Sequence, residues 1–110
     1  MVEKHPRLRL DDNFASPIRF SLMAALLDGD ELDFASLSQI LQVGDSALSK
    51  SISHLNLAGY VATRRGVGSR PRTWVRSTRR GERAFAAHLH ALQEIVEFGG
   101  HSPRDGAGSG

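Results

Sequence analysis

The sequence predicts a mainly α-helical domain that carries one small β-hairpin. Apolar residues recur at helical spacing in several segments, and a stretch rich in glycine, proline and arginine separates two short runs of β-branched and aromatic residues. A chain of 110 residues is the right size for one domain with a modest core. Because cysteine is absent, disulfides, thiolate zinc sites and thiol redox sensing are excluded.

We divide the chain into three parts. Residues 1–7 are predicted to be a flexible arm, residues 8–98 the folded domain, and residues 99–110, which are rich in glycine and serine, a disordered tail. A short helical segment at the start of the domain is indicated by three apolar residues, Leu8, Leu10 and Phe14.

Start and stop signals define the next two helices. Ser16 and Pro17 begin the first, because a serine side chain caps free N–H groups and proline fits the first helical turn. Gly29 ends it, since glycine readily adopts the positive φ found after a helix. Glu31–Asp33 is predicted to be a minimal edge strand, and its last residue caps a second helix that ends near Gln42.

The second half of the chain adds two helices and the hairpin. A third helix is predicted at Asp45–Ala58, capped by one of its first two residues, and strands at Tyr60–Arg65 and Arg72–Ser77. Thr78 caps a last helix, Arg79–Phe98. Two helices joined by a tight turn and followed at once by a hairpin are typical of the winged helix-turn-helix, with the hairpin as the wing.

Positive charge is concentrated in the second half of the chain. Net charge is only +2, but residues 45–83 contain nine bases and two acids, whereas residues 1–33 contain four bases and seven acids. Phosphate attraction acts over roughly one Debye length, ~8–10 Å, so the local excess matters more than the total. The distribution indicates a nucleic-acid partner; the alternative is a solvated basic face.

The third helix has the features of a DNA-reading helix. Leu48, Ile52 and Leu55 form its buried stripe, and its opposite face is expected to carry small and polar groups without bulky apolar ones. Serines can donate to phosphates or base edges, an alanine can contact a thymine methyl group, and Lys50 and His54 are expected on phosphates. The predicted DNA contacts of this helix are Ser46, Ala47, Ser49, Lys50, Ser53 and His54. The alternative is an ordinary amphipathic helix with solvent-facing serines.

The wing combines flexibility with charge. Its glycine-rich tip can follow a minor groove, where arginine is favoured. Arg70 and then Arg72 are the preferred candidates for insertion, and Arg64 and Arg65 are expected on flanking phosphates. Trp74 is predicted to pack under the wing rather than to stack on bases. The alternative for the whole wing is a soluble surface loop.

The last helix is longer than so small a core requires, which indicates a homodimer. Its apolar residues follow a short heptad-like pattern. The predicted interface comprises Leu8, Leu10, Phe14, Phe85, Leu89, Leu92, Ile95 and Val96. The alternative is a helix that folds back over its own core. A metal site is considered at His88, His90, Glu94 and Glu97, but chance surface polar residues explain these better, and neither metal nor cofactor is predicted.

Several motifs carry a resemblance to a known family. They lie at Ser16–Arg19, Leu48–Lys50, Leu55–Val61, Arg70–Trp74 and Thr78–Glu82. Their combination, above all the Gly-Tyr-Val exit from the third helix with Arg-Pro-Arg-Thr-Trp in the wing, resembles the small winged-helix DNA-binding domains of bacteria and archaea, close to the MarR and ArsR regulators. The resemblance implies a dimer built from terminal helices and operator DNA as partner. The cysteine motif of many ArsR-like metal sensors is absent, and the chain is shorter than typical MarR proteins, so a small-molecule effector is unsupported.

We therefore expect a cytoplasmic, sequence-specific DNA-binding regulator. It is expected to repress, since no activation segment is evident, and to bind a pseudo-palindromic operator as a homodimer. The alternative is a winged-helix module that binds protein or RNA. Nothing indicates an enzyme, because no nucleophile–base pair, paired carboxylates or phosphate loop is visible, and nothing indicates a membrane span.

Overall fold

The first three helices and the third strand surround a common core, as a winged helix-turn-helix requires. The computed structural model describes residues 4–100. In order, its elements are α1 (Pro17–Ala25), β1 (Leu32–Asp33), α2 (Phe34–Leu41), α3 (Asp45–Leu57), β2 (Val61–Arg65), β3 (Thr73–Ser77) and α4 (Arg79–Gly100). This architecture confirms the predicted fold. Within residues 4–100, none of the helices has the length and apolarity that a bilayer crossing requires.

Side-chain caps set the start of two of the four α-helices in residues 4–100. Ser16 Oγ accepts a hydrogen bond from the Arg19 N–H at 3.3 Å, and Thr78 Oγ1 accepts one from the Gly81 N–H at 3.0 Å, as predicted for α1 and α4. The expected side-chain cap of α3 is wrong. Gly44 is its N-cap, no side chain caps it, and Asp45 is already helical. The Asp45 carboxylate still lies in the first turn, where the helix dipole favours negative charge.

The exit from α3 depends on two glycines. Gly59 has φ +80°, and the next N–H, of Tyr60, donates to the Leu55 carbonyl at 2.9 Å, which closes the helix. A Cβ at Gly81 would lie 2.2 Å from the Tyr60 carbonyl oxygen. Only glycine therefore allows α4 to approach the end of α3 this closely.

The wing belongs to a three-stranded antiparallel sheet of order β1-β3-β2. The wing strands pair from Val61↔Ser77 to Arg65↔Thr73, and the predicted edge strand pairs with β3 through Leu32↔Val75. The base of the wing is thus joined to the segment before α2, which gives the hairpin a fixed origin. The core beneath the sheet contains Phe14, Leu22, Met23, Leu26, Leu37, Leu48, Ile52, Leu55, Val61, Val75 and Phe85.

Both ends of the described chain differ from the prediction. Residues Pro6–Arg9 form a 3₁₀ helix against α4, Pro6 is buried, and the His5 ring lies 4.7 Å from the Phe98 ring. An ion pair from Arg9 to Glu94 adds to this contact. The predicted flexible arm is therefore wrong at residues 5–7. Nor does the start of the domain form an α-helix: a second 3₁₀ turn, Asp12–Phe14, follows the first.

The last helix continues to Gly100, past its predicted end at Phe98. Glycine costs a helix only about 1 kcal/mol relative to alanine, so two glycines do not oblige it to stop. Residues 1–3 of the predicted arm and residues 101–110 of the predicted tail lie outside the described residues.

Candidate nucleic-acid interface

One face of α3 is free of the rest of the chain. Leu48, Ile52 and Leu55 are buried as predicted, and Ser51 joins them at 7% exposed. On the opposite side, exposed residues recur at intervals of four, three and four. We call this set the central stripe: Ser46, Lys50, Ser53 and Leu57. A bulky apolar residue therefore lies where the sequence predicted none.

The two flanks of α3 are held by hydrogen bonds. His54 Nε2 lies 2.9 Å from Asn13 Oδ1, and on the other side Asn56 Nδ2 donates to the Val61 carbonyl at 3.1 Å. His54 is exposed, and one of its ring nitrogens is already engaged by Asn13, so its predicted phosphate contact would compete with this bond and stays a prediction. Of the other predicted residues, Ser49 is exposed on one flank and Ala47 half-buried on the other.

A hydrogen-bond network connects the Asn13 side of α3 to α4. The Asp11 carboxylate accepts from the Tyr60 hydroxyl at 2.5 Å and from the Asn13 N–H at 2.9 Å. The Asp11 N–H donates to His88 Nδ1 at 3.0 Å. Burial acts to raise the pKa of Asp11, but the hydrogen bonds from Tyr60 and Asn13 outweigh it, and the pKa is lowered. Burial and the bond to Asp11 raise the pKa of Tyr60.

The candidate metal cluster is not assembled. His88 is 6% exposed, so it is a core histidine rather than a surface polar residue. His90 lies 3.9 Å from Glu94 on the solvent side of the helix. Within the part of the chain that the structure describes, no three histidine or acidic residues are grouped to hold a metal ion.

Arg64 is held within the chain. Its Nε donates to both carboxylate oxygens of Glu31, at 3.0 and 2.9 Å, its Nη2 donates to Oε1 at 2.7 Å, and its guanidinium lies 5.4 Å from the Trp74 ring centroid. The Arg64 guanidinium lowers the pKa of the Glu31 carboxyl. The predicted phosphate contact of Arg64 stays a prediction, and a phosphate would have to compete with Glu31 for this guanidinium. Trp74 is half-buried below this pair.

The other wing arginines face solvent. Arg65 donates to Thr73 Oγ1 at 3.3 Å, a weak contact that leaves the side chain exposed. Arg70 and Arg72 are exposed, and neither guanidinium donates a hydrogen bond or forms an ion pair within residues 4–100, although the charge of Arg72 helps to lower the pKa of the Asp33 carboxyl. We call residues 66–72 the wing tip. The structure therefore leaves Arg70 and Arg72 as the wing's freest cations.

The outer half of α4 carries an uncovered apolar row. Leu89, Leu92 and Val96 are 41%, 37% and 72% exposed, and we call them the α4 seam. Leu8 is exposed as well, whereas Leu10 and Ile95 are half-buried. Phe14 and Phe85 are 3% and 2% exposed, with rings 5.1 Å apart, so they belong to the core of the chain and not to the predicted interface.

Comparison with known proteins gives the same fold. Residues 18–96 match the winged helix DNA-binding domain family. The chain belongs to this family. That confirms the resemblance inferred from the motifs, and identifies the chain as a DNA-binding regulator by fold and family. Among curated protein sequences, none matches it.

Three solved structures illustrate the likeness. A transcriptional regulator homologue from Pyrococcus horikoshii OT3 is 25% identical, with a TM-score of 0.75 over 79% of this chain and 87% of that one. YusO from Bacillus subtilis is 16% identical, with a TM-score of 0.68 over 84% of this chain and 66% of that one. The transcriptional regulator BldR from Sulfolobus solfataricus is 21% identical, with a TM-score of 0.59 over 74% and 58%. The last two show similarity of fold alone.

Proposed function

We propose that this winged-helix protein is a sequence-specific repressor that binds a pseudo-palindromic site in duplex DNA as a homodimer. The observation that carries the proposal is the central stripe of α3. None of its side chains makes a hydrogen bond within residues 4–100, although both neighbouring flanks are bonded to the chain. A polar surface left free on a helix that is otherwise fixed is suited to a major groove.

Base contacts are assigned to the central stripe and to the first turn of α3. The uncapped N–H groups at the start of α3 favour a phosphate through the helix dipole, and such a phosphate contact would hold the neighbouring Ser46 hydroxyl at a base edge. Ser49 and Ser53 are short enough to let the backbone approach base edges, and Ala47 can meet a thymine methyl group at the rim. Lys50 supplies the charge that binds the backbone.

Backbone and minor-groove contacts are assigned to the wing. Arg70 and Arg72 are the exposed cations of a tip that contains Gly68, whose φ is +119°. A narrow minor groove concentrates negative potential and so favours arginine. Arg65 is assigned to a flanking phosphate. Arg64 can bind a phosphate only when its ion pair with Glu31 breaks.

The homodimer is assigned to the α4 seam together with Leu8. A helix of 22 residues is about 33 Å long, and its first turns are enough to cover the core. Burying three large apolar side chains against a second copy stabilises the pair by several kcal/mol, at roughly 1.5–3 kcal/mol for each side chain fully buried. Two-fold symmetry would place the two α3 helices ~34 Å apart, or a multiple of that distance, on one side of the duplex. A dimer bound across a promoter blocks polymerase, hence the assignment as a repressor.

Selection from a random duplex library, followed by titration, tests the proposal. We expect the selected site to be an inverted repeat and to bind at least about 1,000-fold more tightly than scrambled duplex at 0.15 M salt. Equal affinity for both duplexes would remove the regulator function and favour the alternative of a protein- or RNA-binding module. A reporter placed behind the selected site should lose expression when the protein is present; a rise would contradict repression.

A further inference from the structure

The most exposed leucine of the described chain lies on the DNA-facing side of α3. Leu57 is 88% exposed, whereas every other leucine of α3 is completely buried. Single exposed apolar residues are common on protein surfaces and need no function. What distinguishes Leu57 is its position on the helix.

Helical geometry places Leu57 on the same line as the polar residues proposed to read bases. It follows Ser46 by eleven residues, which is about three turns, so the two side chains leave the helix within about 20° of each other. Lys50 and Ser53 lie between them on the same line. The side chain of a helical residue also leans towards the preceding turn, so Leu57 covers the surface next to Ser53 rather than the space beyond the helix end.

Within residues 4–100, no apolar side chain covers Leu57. Leu48, Ile52 and Leu55 point to the opposite side of α3, into the core. Asn56, the preceding residue, is bonded to the Val61 carbonyl and holds the last turn in place. The helix persists to Leu57 and ends at a C-cap at Ala58, so the position of the leucine is set by regular helix and not by a loop.

We propose that Leu57 is a specificity-determining residue that packs against the C5-methyl group of a thymine in the major groove. This inference rests on the proposed DNA-binding function. The thymine methyl is the one apolar group that base pairs present in the major groove, and an aliphatic side chain buries it without needing a hydrogen-bond partner. The central stripe would then read polar base edges with Ser46 and Ser53 and an apolar group with Leu57 at its end.

Removing the thymine methyl and the leucine separately, and then together, tests the contact. The probe is the duplex selected by the wild-type protein, with each thymine replaced in turn by uracil, which differs only in the missing methyl group. Apart from the thymine assigned to Ala47, we expect one further replacement in a half-site to weaken wild-type binding about fourfold, the factor that corresponds to one buried methyl group. In Leu57→Ala the same replacement should have no effect, and the slope of log K against log salt should equal that of the wild type, because leucine neutralises no phosphate.

Three results would overturn the proposal. Leu57→Ala could bind the selected duplex as tightly as the wild type, it could remain as sensitive as the wild type to every uracil, or it could change the oligomeric state seen by light scattering. Leu27→Ala is the matched control, because Leu27 is another exposed leucine (39%) outside α3 and outside the α4 seam, and it should leave the uracil pattern unchanged. If the wild type itself prefers no duplex, the proposed function fails first, and that result is distinct from these three.

Discussion

The central stripe of α3 and the wing tip are built for different tasks. The stripe carries a single charge, at Lys50, and lies on a helix held from both sides by His54–Asn13 and Asn56–Val61 contacts. The wing tip carries Arg70 and Arg72 on a short glycine-containing loop that is fixed only at its base. A fixed surface with few charges can discriminate between bases, and a more highly charged loop can bind any backbone. We infer that specificity and affinity are separated between the two regions.

The largest effect is expected from breaking the proposed homodimer, because one central stripe and one wing tip must then bind DNA without a second copy. Leu89→Glu with Leu92→Glu places charge in the α4 seam, so the dimer should dissociate and affinity for the selected site should fall about 100-fold or more, since two linked half-sites bind cooperatively. Light scattering and anisotropy titration measure both quantities. An intact dimer would place the interface elsewhere. His90→Glu adds one negative charge on the exposed side of α4 outside the seam, and this control should do neither.

The wing tip should control affinity for every sequence. Arg70→Ala is expected to weaken selected and scrambled duplexes alike, by roughly fivefold to tenfold, and to reduce the salt slope by about 0.9. Titrations at several salt concentrations measure it. An unchanged slope would remove Arg70 from the interface.

The central stripe should control affinity for the selected sequence and have little influence on affinity for other DNA. Ser46→Ala combined with Ser53→Ala removes two hydroxyl groups and no charge. We expect about a fivefold loss on the selected duplex, little loss on a scrambled one, and an unchanged salt slope. Equal losses on both duplexes would mean that these serines bind backbone, and the separation of tasks would be lost.

Glu31 provides a way to add a cation to the wing. Glu31→Gln weakens the hold on Arg64, so the freed guanidinium should steepen the salt slope by up to about 0.9 and raise affinity a few-fold on any duplex. The double variant Glu31→Gln with Arg64→Ala is the control, and the gain should disappear in it. If the gain persists there, it comes from the lost negative charge and not from Arg64.

The smallest effect concerns the network beside α3. The pKa of Asp11 is lowered in the folded chain, so its contribution to stability is present above its ordinary pKa of 3.8 and is lost as pH falls through the lower folded value. Asp11→Asn should therefore cost about 1 kcal/mol at pH 7 and progressively less below pH 4. Thermal or urea unfolding across pH measures it. A cost that does not depend on pH would show that the carboxylate charge is irrelevant, and Asp12→Asn, exposed nearby, should change little.

Much of this organisation could be read from local signals. The caps at Ser16 and Thr78, the positive φ of Gly29 and Gly59 and the short edge strand all follow from residues within a few positions of the feature. The spacing of apolar residues along α4 also indicated that the helix has more apolar surface than the core needs. It did not indicate which of these residues the core covers. Phe85 and Leu89 are one turn apart, and yet Phe85 is in the core and Leu89 is exposed.

By itself, then, the sequence determined the fold, the charged wing and the position of the helix proposed to face DNA, because capping, periodicity and turn chemistry act over a few residues. Tertiary structure decided which polar groups on those elements remain available. His54 is bonded to Asn13, 41 residues earlier, and Arg64 to Glu31, 33 residues earlier. Such partners meet only when packing brings distant segments together, and no local pattern encodes that distance. The same packing leaves the Leu57 side chain exposed in the central stripe, together with Ser46 and Ser53.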